Sequence, residues 1–173
     1  MRELLLRQLD IPWTLFSEYY LPGVTDDIAA WRPSANAVGL VISEGTAYPE
    51  WPGETTEPIP DTTVGWLLWH IEWWWSNAIH GARGAGSTEP QAFGWSGSAE
   101  ASRVRLIELH DQWVEILNTT DLDHQCDAPF PTPQPLSAIA GWVNVELMKN
   151  VAELGQLMRL RANRGQSRGG PCE

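Results

Sequence analysis

His70 is the side chain with the clearest potential for chemistry, because it lies in the tryptophan-rich segment DTTVGWLLWHIEWWWSNAIHG. At about 100° per residue, a helix over this segment places His70 and Asn77 near the centre of an apolar face. That face is formed by Trp66, Leu67, Ile71, Trp73, Trp74 and Ala78, whereas Gly65, Glu72 and Ser76 point the opposite way. A buried polar group without a partner costs about 1 to 3 kcal/mol. We therefore expect other segments to meet this pair with polar groups.

A single histidine on an apolar face is more often a hydrogen-bonded core residue than a ligand. A second polar group, in the segment LSAIAGWVNVELMKNVAELGQLMRLR, favours a site instead. There Glu146, Asn150 and Glu153 follow one another at i, i+4 and i+7, within roughly 60° on the flank of an apolar helical stripe. Buried carboxylates need a cation, a proton or a hydrogen-bond donor. The two polar groups therefore predict a pocket between two helices.

Three arrangements would satisfy these acids. In the first, Lys149 pairs with Glu146 and Glu153 at the edge of a helix bundle. In the second, His70 donates a hydrogen bond to one of the acids in a metal-free network. In the third, His70, Glu153 and either Glu146 or Asn150 hold a divalent metal with an open coordination position. The residues alone leave all three open.

The composition describes one acidic domain. With 173 residues the chain is long enough for a single core, and its two cysteines do not form a disulfide framework, which favours a reducing, cytoplasmic setting. No segment is typical of a signal peptide or a membrane span. The net charge of −11 opposes binding to nucleic acid. Eleven tryptophans are more than a core of this size needs, so we expect some of them to line a cavity.

Helical periodicity indicates an all-α fold. Pro12 is expected to kink the first helix, and residues 34–60 form a long crossover that contains short β-prone pieces and a small hairpin. His110, on the apolar face of the third helix, is a second candidate for the polar network. The domain is predicted over residues 1–162, followed by a disordered tail over 163–173. The predicted long helices cover residues 2–20, 61–80, 99–118 and 136–162.

The order of these elements resembles the DinB/YfiT-like superfamily over roughly residues 3–162. The motifs that carry the resemblance are the long first crossover, TTVGWLLWHI in the second helix and NVAELGQLMRLR in the fourth. The resemblance implies an up-down-down-up four-helix bundle with a long crossover from the first helix to the second. It also implies a relationship to thiol-dependent maleylpyruvate isomerases and to transferases that use mycothiol or bacillithiol. Many members bind nickel or zinc through one histidine of the second helix and two residues of the fourth.

Carried over residue by residue, the resemblance places His70 at the histidine position of the second helix. In the sequence Glu-Leu-Gly-Gln, Glu153 stands at one ligand position of the fourth helix. The other ligand position holds Lys149, whose ammonium group has no lone pair for a metal. Glu146 or Asn150 would have to take its place. The metal ligands implied by the resemblance are therefore His70, Glu146 and Glu153.

Two functions follow from these residues. The first is a thiol-dependent transferase or isomerase with a zinc or nickel ion and a low-molecular-weight thiol. The alternative is a metal-free protein that binds a small molecule or a partner, in which Lys149 replaces the charge of the metal. Either version is expected to be cytoplasmic, to form a homodimer, and to bind neither nucleic acid nor membranes. The residues predicted to line the ligand pocket are Trp66, Trp73, Trp74, Asn77 and Asn150.

Overall fold

The computed structural model describes residues 1–51 and 60–166, with the side chains of residues 165 and 166 not included, and the fold is predominantly helical. Its α-helices are α1 (Arg2–Thr14), α2 (Asp26–Ala29), α3 (Val64–Ala82), α4 (Ala99–Thr119) and α5 (Leu136–Gln166). Two small antiparallel hairpins accompany them, formed by β1 (Leu40–Ser43) with β2 (Thr46–Pro49) and by β3 (Gln125–Cys126) with β4 (Gln134–Pro135). The all-α prediction therefore holds broadly. The up-down-down-up order of the bundle remains a prediction.

The first predicted helix changes type along its length. α1 continues through Pro12, and the chain then widens into a π-helical segment over Leu15–Tyr20 and a 3₁₀ turn over Leu21–Gly23. Proline removes a backbone donor and crowds the preceding turn, and a wider helical turn accommodates such a defect without ending the helix. The expected disturbance at Pro12 is thus a change of helix type shortly after the proline.

The crossover contains the expected hairpin. Strands β1 and β2 pair antiparallel, with Leu40 opposite Pro49 and Ser43 opposite Thr46. The turn between them has φ angles of 50° at Glu44 and 82° at Gly45, the left-handed conformation that two-residue hairpin turns require. Residues 52–59 of the predicted crossover lie outside the described residues.

α3 is the central helix of the fold. The hydroxyl of Thr63 caps it by accepting a hydrogen bond from the backbone N–H of Trp66 at 3.1 Å. One side of α3 packs against α5 and the other against α4. The side carrying Gly65, Glu72 and Ser76 is consequently also buried, since all three lie in the core. A helix that is apolar on nearly every face is buried on nearly every face.

The remaining long helices complete the core around α3. Ser98 caps α4 by accepting a hydrogen bond from the N–H of Ala101 at 3.1 Å. α5 packs against α1 and α3, and it runs to Gln166, four residues beyond its predicted end. The part of the predicted tail after Gln166 lies outside the described residues. None of the helices in the described part of the chain is both long enough and apolar enough to cross a membrane.

Candidate functional site

A cavity of about 710 Å³ opens beside His70 and is walled mainly by aromatic rings. We call it the tryptophan cavity. Four of its five predicted wall residues, Trp66, Trp73, Trp74 and Asn77, border it together with His70, whereas the fifth, Asn150, lines a neighbouring cavity instead. Three further aromatic side chains reach it from other parts of the chain: Trp51 after β2, Phe130 in the loop between β3 and β4, and Trp142 on α5.

The aromatic rings around His70 contact one another at steep and shallow angles. The His70 imidazole stacks on Trp66, with centroids 5.0 Å apart and an interplanar angle of 18°. Trp51 lies nearly parallel to Trp66, at 17°, and stands at 68° to Trp73. On the opposite wall, Trp142 stands at 73° to Trp74. The cavity is therefore bounded by rings in several orientations, which supply both faces and edges to a bound molecule.

Polar atoms of α3 fix the loop that forms another wall of the tryptophan cavity. The indole N–H of Trp73 and the amide Nδ2 of Asn77 both donate to the carbonyl oxygen of Thr88, at 2.7 and 3.0 Å. In return, the N–H of Thr88 donates to Asn77 Oδ1 at 2.8 Å. Farther along the same loop, the indole N–H of Trp69 donates to the carbonyl of Phe93 at 2.7 Å. Asn77 thus shapes the cavity by holding its wall in place.

Burial keeps the His70 imidazole neutral. Desolvation lowers the pKa of His70 to about 3, and the positive charge of Lys149 lowers it further. The Nδ1 atom is buried and has no hydrogen-bond partner within residues 1–51 and 60–166. His70 therefore presents an uncharged ring with an unsatisfied polar atom, a combination that favours a bound polar group or water.

A second cavity, also of about 710 Å³, adjoins the first and has more charged side chains in its lining. We call it the polar cavity. Trp66, His70 and Pro60 border both cavities, so His70 lies where the two meet. The predicted residues Asn150 and Glu153 line the polar cavity. The other polar side chains that line it are Asp61, Thr62, Lys149, Gln156 and Arg164.

Two polar side chains of α5 engage the carboxylate of Glu146. Lys149 Nζ lies 3.1 Å from Glu146 Oε2, the i+3 pair of the first predicted arrangement. Asn150 Nδ2 donates to the backbone carbonyl of Glu146 at 2.7 Å and to its Oε2 at 3.2 Å. The pKa of Glu153 is raised overall, because burial and the negative charge of Glu146 outweigh the lowering effect of Lys149. Glu146 is absent from the described linings of both cavities. Its carboxylate is instead engaged by Lys149 and Asn150.

The donor set around His70 does not fit the metal that the resemblance implies. Of its three predicted ligands, His70 and Glu153 border the polar cavity, while the carboxylate of Glu146 pairs with an ammonium group. Within the described ranges no group of three or more His, Cys, Asp and Glu side chains is placed to hold a metal ion. Lys149, a cation without a lone pair, therefore occupies the position at which a third metal ligand would be needed.

His110 lies away from this pair of cavities. Its ring stacks on Trp13, with centroids 4.1 Å apart and an interplanar angle of 6°, and its Nδ1 lies 3.1 Å from Asp111 Oδ1. Desolvation lowers the pKa of His110, against the opposing effect of Asp111 and Asp10. The expectation that His110 joins the His70 network is thus not met. Helical periodicity predicts the side of the helix on which His110 lies, but it does not predict which helix packs against that side.

One buried acid was not among the predicted site residues. Glu72 is 2% exposed, between α3 and α4, and accepts hydrogen bonds from the hydroxyls of Ser96, at 2.8 Å, and Ser102. Burial raises the pKa of Glu72 to about 7, although Ser102, Ser96 and Arg105 favour the charged form. The sequence contained a signal for this burial. A helix with tryptophan on several faces is buried on most of its surface, so an acid on its remaining face is buried as well.

One of the comparisons with known proteins identifies a family. The sequence model described as the DinB superfamily matches residues 8–154, which is more than half of the chain. The chain belongs to the DinB superfamily. No curated protein and no solved structure matches it significantly.

Proposed function

We propose that this DinB-superfamily protein binds a small organic molecule in the tryptophan cavity beside His70, and that it does so without a divalent metal. The observation that carries the proposal is the ion pair between Lys149 and Glu146, with an N–O distance of 3.1 Å. Lys149 lines the same polar cavity as His70 and Glu153. The site thus has a built-in cation in place of a complete set of metal ligands.

Electrostatics explain how such a site would work. A divalent metal beside His70 would lie close to the ammonium group of Lys149 and be repelled by it. The same ammonium group is paired with the carboxylate of Glu146 and lowers the pKa of Glu153, although burial and Glu146 keep that pKa raised overall. The polar cavity therefore carries a cation of its own in the absence of metal, and the lining of the tryptophan cavity is left to bind an organic molecule.

The size and chemistry of the tryptophan cavity suit this role. A volume of about 710 Å³ lies within the usual range for small-molecule sites. Such sites combine apolar walls with a few polar groups that orient the ligand. Here the walls are aromatic, and the unsatisfied, buried Nδ1 of His70 is the polar atom that a ligand or water would complete.

The metal-free part of the proposal has a direct test. Protein is purified without an affinity tag, and its metal content is measured by elemental analysis. Its thermal unfolding is then measured with and without nickel or zinc. The wild type is expected to show no stoichiometric metal and no metal-dependent rise in Tm, whereas Lys149→His gains both because it adds a lone-pair donor beside His70 and Glu153. Arg159→His, on an exposed position of the same helix, is the matched control.

Stoichiometric metal in the wild type that disappears in His70→Ala would overturn the metal-free proposal. It would instead support the metal-dependent transfer or isomerisation of a thiol that the resemblance implies. In that case the bound metal would lower the pKa of a thiol or a water molecule.

The ligand-binding part is tested separately by ligand-observed NMR with a library of small amines, acids and aromatic compounds. We expect saturable binding by some of them that weakens in His70→Phe, which preserves a ring but removes both nitrogen atoms. His110→Phe makes the same change on a ring outside the described linings of both cavities and is expected to bind like the wild type. Equal effects of the two variants would show that binding occurs elsewhere.

The proposal also covers the order of the helices, the cellular location and the oligomeric state. We infer that the four long helices follow the up-down-down-up order, that the protein works in the cytoplasm, and that it forms a homodimer. Sedimentation equilibrium checks the last of these, and a monomer at micromolar concentration would contradict it.

A further inference from the structure

The tryptophan cavity has few charged groups in its described lining. Among the described residues that line it, none is lysine or arginine, and Glu89 carries the formal charge. His70 contributes an uncharged ring. The chain as a whole has a net charge of −11. The cavity therefore attracts a cation and opposes an anion.

Aromatic rings supply most of the wall, and they add to this preference. Trp51, Trp66, Trp73, Trp74 and Trp142 border the cavity together with Phe130. The face of an aromatic ring carries negative potential, and tryptophan attracts cations more strongly than the other aromatic residues. Alkylated ammonium groups suit such walls because they carry a positive charge but have a weakly hydrated, apolar surface.

Several polar atoms in the wall are already engaged by the protein itself, although the indole nitrogen of Trp74 has no partner among the described residues. The indole N–H of Trp66 donates to the carbonyl of Glu50 at 3.3 Å, and that of Trp73 donates to Thr88. The amide of Asn77 is engaged by Thr88 through both its donor and its acceptor. These wall residues therefore offer a ligand their ring surfaces rather than hydrogen-bond donors. An anionic head group would therefore gain little from Trp66, Trp73 and Asn77 in exchange for its lost water.

We propose that the tryptophan cavity recognises the alkylated ammonium group of a small organic cation. The inference rests on the proposed function, since it names the class of molecule that the cavity would bind. The positive charge of Lys149 acts on His70 from the polar cavity, where it is paired with Glu146, so the ammonium group of the ligand is placed against the tryptophan rings and Glu89 rather than against His70. Glu89, at the wall of the tryptophan cavity, adds a favourable charge.

The test compares choline with its neutral carbon isostere, in which a quaternary carbon replaces the nitrogen. The two probes have nearly the same shape and apolar surface and differ in charge. Isothermal titration calorimetry with the full chain is expected to give an affinity about tenfold higher for choline than for the isostere, from cation–π attraction. Glu89→Gln is expected to weaken choline by about twofold to fivefold and to leave the isostere unchanged.

Two substitutions at Trp73 separate the aromatic face from the rest of the side chain. Trp73→Phe and Trp73→Leu both lose the hydrogen bond to Thr88, but phenylalanine keeps a ring face. We expect choline to bind about fivefold more weakly to the leucine variant than to the phenylalanine variant. The isostere is expected to bind equally to both, so a general disturbance of the cavity is excluded.

Equal affinities of the wild type for choline and for the isostere would overturn the inference, while showing that the cavity binds small molecules as proposed. Absence of saturable binding of both probes at millimolar concentration would also overturn it. The proposed function would then be decided by the library and by the comparison of His70→Phe with His110→Phe, neither of which depends on a cationic ligand.

Discussion

The buried carboxyl of Glu72 makes a quantitative prediction about the pH dependence of stability. The side chain is 2% exposed, and burial raises its pKa to about 7 from the ordinary value of 4.5. The perturbation is Glu72→Gln, which preserves the shape of the side chain and removes its titration. The amide oxygen can still accept one of the hydrogen bonds that Ser96 and Ser102 donate to the carboxyl.

The sign of the effect follows from proton binding. Between pH 4.5 and 7 the folded protein holds a proton on Glu72 that the unfolded chain has released. The free energy of unfolding of the wild type therefore falls as the pH rises through this window. At about 1.4 kcal/mol per pKa unit, the contribution lost by pH 8 is about 3 kcal/mol. For a chain of this size, that corresponds to a change in Tm of about 6 to 12 °C.

The assay is urea unfolding of the wild type and Glu72→Gln at a series of pH values from 4.5 to 8. Every other titrating group is common to the two proteins, so its contribution cancels in their difference. The stability of the variant relative to the wild type is expected to rise by about 3 kcal/mol across the series. Glu115→Gln, at an exposed position of α4, is the matched control and is expected to give a flat difference.

A difference between the wild type and Glu72→Gln that stays constant from pH 4.5 to 8 would refute this reasoning. It would mean that Glu72 has the same pKa in the folded and unfolded chains, and therefore that water reaches its carboxyl group. Ser102→Ala provides a second check. Because it removes a donor to the carboxylate, the pKa of Glu72 is expected to rise further and the fall in stability to move to higher pH.

Three other predictions concern the walls of the site and its histidine. Asn77→Ala removes the hydrogen bonds that hold the cavity loop, and we expect a loss of about 2 kcal/mol in urea unfolding with faster amide exchange in the loop. Gly81→Ala would place a methyl group against the backbone of Ala128 and cost about 2 to 3 kcal/mol, whereas Gly86→Ala, in open space, is expected to change stability by less than about 0.5 kcal/mol. NMR should show His70 still neutral at pH 5, because burial lowers its pKa to about 3, and protonation at pH 5 would contradict this.

The sequence by itself determined the helices and the faces that carry the site. Helical periodicity identified the four long helices, and the polar residues within the apolar stripes pointed to His70, Asn150 and Glu153, which border one cavity in the structure. The same pattern placed Trp66, Trp73 and Trp74 around His70. These features depend on residues only a few positions apart within one helix, so they can be predicted from each helical segment separately.

Contacts between distant segments were decided only by the tertiary structure. Trp51 and Phe130 come from connecting segments without a helical pattern, yet both border the tryptophan cavity. His110 has a suitable position on its helix but stacks on Trp13 of α1, away from His70. A periodic pattern gives the direction of a side chain and does not give the segment that it meets, which depends on how the whole chain packs.

The choice among the arrangements of acids also required the tertiary structure. The sequence left Lys149 free to pair with either acid, and left Glu146 free to serve as a metal ligand. In the folded chain Glu146 is bound by Lys149 and Asn150, so its carboxylate is already compensated. The raised pKa of Glu72 could not be predicted from the sequence either, since it depends on burial against α4. Periodicity fixes where a charge lies on its helix, whereas its partners and its exposure to water are properties of the packed fold.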